Sequence, residues 1–265
     1  MKIFSSPRPV IGMVHLLPLP GSPRARPLEE VLERALSDAR ALARGGVDGL
    51  LVENWGDAPF SPFPAEPQVV ACMTAVAREV RSATRIPIGI NVLRNDARSA
   101  LAVAVAAGAA FVRVNVHVGA AETDQGRIEG RAHETLRFRR AIGSSVAIFA
   151  DILVKHARPI GSGDPAVAAR EAAYRGLADA LLVTGPETGV PPDADRLRAV
   201  KRAVPDRPVL VASGVTLESA GSFAAADGFI VGSAFKRQGR TGHPVETSRV
   251  RALLRRLRRG GPGND

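Results

Sequence analysis

The feature that most restricts how this chain can fold is an alternation running almost from end to end. Short apolar runs at residues 10–14, 49–52, 88–91, 111–115, 146–151, 180–184, 209–213 and 228–231 are separated by longer, Ala-rich segments of helical periodicity. Those segments lie at 28–44, 68–82, 97–107, 132–142, 166–175, 194–204, 217–225 and 245–259. Such runs, dense in Val, Ile and Leu, fit strands buried on both faces, and parallel strands need a helical crossover between them. Eight such units close into a single α/β (β/α)8 TIM barrel, and 265 residues suits that fold, typically about 250. An open doubly wound sheet is the rival, but Ile11-Gly12-Met13-Val14-His15 leads into no Gly-rich turn and helix. No linker or shift of composition marks a second domain. The barrel is expected over residues 1–259, with 260–265 a flexible tail.

The chain has one Trp, one Tyr and 45% hydrophobic residues, so its core must be aliphatic. A single cysteine, Cys72, excludes an internal disulfide framework and fits a reducing compartment. Ser5, Pro7, Arg8 and Pro9 interrupt any N-terminal apolar leader, and the apolar stretch at 100–112 falls short of a membrane span. A cytoplasmic location is therefore expected. The net charge of +10 comes from scattered arginines, with no zinc-finger spacing, aromatic RNA-binding strand or basic heptad region, so no nucleic-acid partner is expected. The arginines concentrate only at 249–259, where Val250, Leu253, Leu254 and Leu257 form an apolar stripe. That pattern reads as a terminal barrel helix with a solvated Arg face; peripheral contact with an anionic membrane is the lesser reading.

Barrel enzymes work at the C-terminal ends of their strands. In the fourth run Val112, Val114, Val116 and Val118 take the helix-facing parity, which sends Arg113, Asn115 and His117 inward. The first run ends at His15, the second at Glu53-Asn54, the third at Asn91, the fifth at Asp151 and the sixth at Thr184, with Lys155 and His156 just beyond Asp151. Asp151 and Glu53 are the expected acid and base. Lys155 is the expected electrophile or anion partner, and Asn91, Asn115 and His117 complete the catalytic set. His15, Arg113, Thr184 and Asn54 are expected to hold substrate. A purely structural ion-pair layer is the competing account of Glu53, Arg113 and Asp151. After the seventh and eighth runs, Ser213, Gly214, Thr216, Gly232, Ser233 and Lys236 match a barrel phosphate site, although the glycines could serve only as turns. No cofactor is expected. His15, Glu53, His117, Asp151 and His156 could ligate a divalent metal, but no His-x-His or His-Glu-x-x-His spacing supports one. Three long strand-to-helix loops, 16–27, 54–67 and 119–131, should cover the mouth.

These motifs together resemble the BtpA/SgcQ family over nearly the whole chain. The resemblance rests on Gly12-Met13-Val14-His15-Leu16 with Pro18-Leu19-Pro20-Gly21-Ser22-Pro23, on Val52-Glu53-Asn54, and on Gly89-Ile90-Asn91-Val92-Leu93-Arg94-Asn95-Asp96. It continues through Phe111-Val112-Arg113-Val114-Asn115, Thr123-Asp124-Gln125-Gly126, Ala150-Asp151-Ile152 with Lys155-His156-Ala157, Thr184-Gly185 with Thr188-Gly189, Ser213-Gly214-Val215-Thr216 and Val231-Gly232-Ser233 with Lys236. The resemblance implies a phosphate-binding barrel of the ribulose-phosphate-handling kind and transfers no reaction. It also implies a second possibility, a membrane-peripheral role in photosystem I biogenesis. The sequence thus points to an enzyme acting on a phosphorylated sugar or nucleoside-like metabolite by isomerase, lyase or glycosidic-bond chemistry, working as a homo-oligomer. A non-catalytic assembly factor is the alternative.

Overall fold

The computed structural model describes residues 3–259 apart from 186 and 188. The tail at 260–265 and Thr188 lie outside the described residues. Eight parallel strands close the barrel: β1 (Val10–His15), β2 (Gly49–Glu53), β3 (Ile88–Asn91), β4 (Phe111–Val114), β7 (Ala147–Ile152), β9 (Ala180–Val183), β10 (Val209–Val211) and β11 (Gly228–Val231). Around them run α1 (Leu28–Gly45), α2 (Pro67–Thr84), α3 (Ala97–Ala107), α4 (Ala132–Ala141), α5 (Pro165–Arg170), α6 (Ala194–Ala203) and α7 (Thr247–Arg259). Helix is also expected at 217–225, but only a 3-10 turn, Ser219–Phe223, forms there. Gly221 weakens a helix, and Ser219 and Thr216 turn their hydroxyls back onto local backbone.

Strand parity sorts the core into two shells. Val10, Val14, Leu50, Val52, Val112, Val114 and Ile148 pack outward against the helices. Ile11, Met13, Leu51, Phe111, Phe149, Leu182, Leu210 and Ile230 fill the barrel interior. Toward the N-terminal end Phe111 stacks on Phe149 with centroids 4.5 Å apart, and Phe4 meets Phe111 edge-on from below. The interior is thus plugged with apolar rings, which leaves polar chemistry to the opposite end.

An acid precedes three of the strands, Asp48 before β2, Asp179 before β9 and Asp227 before β11, the first two of them following a glycine that ends a helical segment. Gly46 takes a left-handed φ of 96° and returns its N–H to Leu42 and Ala43. The acids that follow stitch the sheet. Asp48 accepts the N–H of Val10 at 2.8 Å, Asp179 that of Ile148 at 2.8 Å and Asp227 that of Val209 at 2.7 Å. Each carboxylate thereby ties the entry of its own strand to the neighbouring strand at the N-terminal face.

The third long loop is structured. Residues 119–131 carry a hairpin, β5 (Ala120–Thr123) and β6 (Gly126–Glu129), turned at Gly126 with φ 94°. β5 also pairs with β8 (Ala157–Ile160), making a three-stranded antiparallel sheet over the rim. Val116, Ala121, Ile128 and Val154 fasten it to the barrel as a small apolar cluster separate from the main core.

Candidate active site

Strand register sets a polar layer at the C-terminal end of the barrel. His15 lies opposite Glu53 across β1 and β2, and Glu53 opposite Asn91 across β2 and β3. Arg113 on β4 reaches Asp151 on β7 with Nε 3.2 Å from both carboxylate oxygens and Nη2 3.1 Å from Oδ2. Asn115 gives its Nδ2 proton to Asp151 Oδ2 at 2.7 Å, and its own oxygen accepts from Asn91 Nδ2 at 3.2 Å. The Asp151 side chain is fully enclosed by these donors. Saturated by these donors, it frames the site, an arrangement that suits a structural ion pair.

Glu53 is differently placed. It is buried, and His15 Nε2 stands 3.8 Å from its Oε1. Burial pushes its carboxyl pKa up; Arg113, Lys155 and Arg94 pull against that shift, and Asp151 reinforces it. Burial pushes the Lys155 ammonium down and Arg113 adds to the effect, while Glu53 and Asp151 oppose it. The two groups are thus each moved toward their neutral forms, the usual tuning of a proton-transfer site. Lys155 rides on a loop in which Leu153 (φ 53°) and His156 (φ 55°) both adopt left-handed backbone, a conformation costing roughly 1–2 kcal/mol for such residues. Two arginines outside the expected set hold that loop. Arg94 donates to the Lys155 carbonyl at 3.0 Å, and Arg196 donates to the carbonyls of Ile152 at 2.6 Å and Leu153 at 2.9 Å. Arg94 belongs to the segment after β3 and could have been suspected. Arg196 lies on α6, far along the chain, and nothing local marks it.

Buried polar atoms without a protein partner mark the same layer: His15 Nδ1, Asn91 Oδ1 and Thr184 Oγ1. Ser22, Gln125, His117, Arg196 and His243 carry such atoms elsewhere among the described residues, but only in this layer do three gather at the strand ends, open to a ligand's polar groups. Gly232 makes room for the imidazole, since a Cβ there would lie 2.9 Å from His15 Cε1. Trp55, the single tryptophan, meets His15 edge-on at 5.9 Å and is partly exposed. Among the described residues, no three His, Cys, Asp or Glu side chains converge as a metal site.

Burial, then the cations Lys236, Lys155, Arg113 and Arg34, hold His15 well below the usual imidazole range. His117 is also lowered, chiefly by burial. A depressed folded pKa gives stability that is present above the unfolded value and lost as pH falls toward the folded one. Each histidine should therefore contribute a loss of up to about 1.4 kcal/mol per pH unit below the ordinary imidazole pKa. Urea melts at stepped pH should show a shallower acid limb for His15→Gln; an unchanged limb would refute the assignment for His15.

Several expected residues prove to be elsewhere. The alternation that aimed His117 inward stops with β4 at Val114. Its Nε2 sits 2.8 Å from the Gly176 carbonyl, in the outer layer beside Arg139 and Asp179. Both ends of the Asn54 amide are engaged within the protein. It donates to Asp57 at 3.0 Å and accepts from the Leu93 N–H at 2.8 Å, tying two rim loops together. In the expected phosphate cradle, Ser213 Oγ accepts from Gly185 N–H at 2.9 Å and donates to the Val190 carbonyl at 3.2 Å. Gly214 lies so close under Pro191 that a Cβ there would collide with its backbone. The Thr216 N–H is taken by Ser219 Oγ at 2.9 Å. Of the six, Thr216, Gly232 and Ser233 remain half-open, and Gly232 lies beside His15.

Lys236 is the clearest correction. It lies beyond a 3-10 turn, Ser233–Phe235, and its ammonium is fully buried 2.7 Å from Asp38 Oδ2 on α1. Asp38 also accepts from Arg34 at 3.1 Å and from the Val245 N–H at 2.8 Å. Lys236→Met should cost about 3 kcal/mol, the low end for breaking a buried pair, because Asp38 keeps those two donors. A loss below 1 kcal/mol in denaturant melts, accompanied by lost anion binding, would return the residue to a ligand role.

Known proteins agree with this architecture. The BtpA family model matches residues 6–259. The chain is 47% identical over 261 residues to the photosystem I biogenesis protein BtpA of Synechocystis sp., covering 98% of this chain and 91% of that protein. It is 45% identical over 249 residues to an uncharacterized protein of Thermococcus kodakarensis, covering 93% and 94%. Among solved structures, phosphoribosyl anthranilate isomerase from Thermococcus kodakaraensis superposes with a TM-score of 0.57 at 17% identity, over 96% of this chain and 100% of that one. Orotidine 5'-monophosphate decarboxylase from Methanocaldococcus jannaschii gives 0.55 at 12% identity, over 93% and 97%. The structural likenesses establish the TIM-barrel fold, and the family match with a relative nearly half identical over the full length establishes that this chain belongs to the BtpA family.

Proposed function

We propose that the protein is an enzyme acting on a phosphorylated small molecule by proton transfer at Glu53. The observation that carries this reading is a buried carboxyl with a raised pKa set among three cations, Arg94, Arg113 and Lys155, with only Asp151 as a further acid in the same field. With Arg113 paired to Asp151, Arg94 and Lys155 are the basic groups that suit an anionic substrate, and a carboxyl held toward neutrality at the mouth of a barrel suits general acid–base work. Lys155 and Arg94 serve as anion partners. Arg113, Asp151 and Asn115 position the layer, while neutral His15, Asn91 and Thr184 meet the substrate's polar groups. Several fold neighbours are named for phosphorylated substrates, which agrees with this reading by analogy of fold. Isomerisation, aldol-type cleavage and glycosidic-bond chemistry all need such a group.

Thermal melts with ribose 5-phosphate, ribulose 5-phosphate, nucleoside monophosphates and the matching unphosphorylated compounds test the proposal, with Trp55 emission as a second readout beside His15. A ligand at a hundred times its dissociation constant stabilises by about 2.7 kcal/mol. Phosphorylated compounds should shift the melt and the emission while their unphosphorylated counterparts do not. Failure of every phosphorylated compound would overturn the reading. The second reading, an assembly factor docking on an anionic membrane, rests on α7, where Arg249, Arg251, Arg255, Arg256 and Arg258 are exposed. Three of them, however, donate to nearby backbone carbonyls, Arg249 to Ala234, Arg251 to Arg44 and Arg258 to Gly46, and so help seat the helix. No described helix is long and apolar enough to cross a membrane. Flotation with anionic vesicles, lost in R255E/R256E, would favour the docking role.

A further inference from the structure

The small sheet over the rim has two outer strands, β8 and β6, and their free edges are not equivalent. The bond from the Gly130 N–H to the Gly119 carbonyl, 2.7 Å, sets the alternation in the β5–β6 hairpin. Gly126, Ile128 and Gly130 turn their backbone groups toward β5, so Arg127 and Glu129 present theirs to the open side. On β5 the same alternation leaves Ala120 and Glu122 to bond β8, opposite Ile160 and Arg158. The outward positions of β8 are therefore Ala157 and Pro159. Pro159 has no N–H to offer, which closes that edge to a further strand. β6 carries no such block, and among the described residues no strand pairs with its outer edge.

The side chains on this edge carry a second signal. Arg127 and Glu129 are both exposed and share one face of β6, with Nη2 2.9 Å from Oε1, while Ile128 between them is buried. A single sign of charge along an edge repels its own copy. Here the signs are opposite and symmetric about Ile128. A second β6, antiparallel to the first and related to it by a two-fold axis at Ile128, sets Arg127 opposite Glu129 of the second copy and Glu129 opposite Arg127 of the second copy. The same register brings the outward backbone groups of these residues together as hydrogen-bonded pairs, with Ile128 at the non-bonded pair between them. The adjacent registers that keep this backbone parity set Arg127 against Arg127 or Glu129 against Glu129. Backbone and charge thus select one pairing.

We propose that β6 is a homodimer interface, at which two copies of this chain join edge to edge about a two-fold axis at Ile128 and form one continuous antiparallel sheet. The paired edge is short, so the dimer is a weak one. The proposal does not depend on the reading of the Glu53 mouth, and its failure would leave that reading in place.

Sedimentation velocity of the full chain tests it, over concentrations that bracket an expected dissociation constant on the order of 100 µM. Arg127→Glu and Glu129→Arg each set like charges opposite one another, and each should weaken self-association by about tenfold or more. Mixed in equal amounts, the two variants should associate as the parent does, because each then meets the opposite charge in the other. Arg127→Pro removes an outward N–H and should abolish the dimer. Near-ultraviolet circular dichroism checks that each variant is folded, and the charge variants decide alone if the proline variant is not. A parent chain that stays monomeric throughout overturns the interface. So does a dimer that survives in both Arg127→Glu and Glu129→Arg, or a mixture of the two that associates no more tightly than either one by itself.

Discussion

Asp151→Ala should cost the fold about 3–5 kcal/mol, because it leaves the Arg113 guanidinium buried without the carboxylate it is bonded to, with only the more distant Glu53 as a counter-charge. Both side chains are almost wholly enclosed, so water cannot take over the lost bonds, and Asn115 loses its acceptor as well. For a chain of this size that corresponds to a fall in melting temperature of roughly 6–20 °C. The pair's own worth is a separate quantity. Desolvating two ions offsets most of their attraction, so R113M/D151L, which removes both charges together, should recover most of the loss. A double-mutant cycle in urea separates the two. An Asp151→Ala cost under 1 kcal/mol would mean that Arg113 finds another partner and that Asp151 does not frame the layer.

Glu53→Gln should show the opposite profile, a fall in turnover of about 10²–10⁴-fold with the fold intact. Amide for carboxyl preserves shape and burial and removes the exchangeable proton. A raised folded pKa gives stability that is full below the unfolded value and lost as pH rises through the folded one. At neutral pH and above, the glutamine variant should therefore melt no lower than the parent, and its advantage should vanish at acid pH. Steady-state rates on whichever phosphorylated substrate the melts identify, with matched melting curves, check both halves. Turnover within a factor of about three of the parent would remove Glu53 from the chemistry.

The contrast between these residues explains what could be read from the sequence. Inside a strand the parity rule is rigid, so Arg113 could be aimed inward from the valines that flank it, and Asn115 keeps that parity one residue past β4, whereas Glu53, Asn91 and Asp151 could be placed only as strand ends. The rule lapses where the strand does. His117 lies three residues past the last residue of β4, and Lys236 lies beyond a tight turn after β11, where the backbone has rotated and the side chain faces α1. Composition could separate acids from amides. It could not show that Asp151 is saturated by donors while Glu53 is left to burial, because that depends on which side chains reach across the barrel. The small sheet was hidden for a related reason: β5 and β6 pair locally around Gly126, but β8 joins from a segment with no alternation of its own. The short turn at Ser219–Phe223 shows the reverse case, where hydroxyl competition for backbone overrides an apparent helical pattern.

The three aspartates at the strand entries carry a consequence for how such a protein diversifies. Asp48, Asp179 and Asp227 each fasten one seam of the wall, between β1 and β2, β7 and β9, and β10 and β11. All three act at the end remote from Glu53, so the staves are clamped at one hoop while the loops at the other are free to vary. Substitutions that retune ligand choice can accumulate on the Glu53 rim without loosening the clamp, and changes to the clamp should weaken the barrel without altering what it selects.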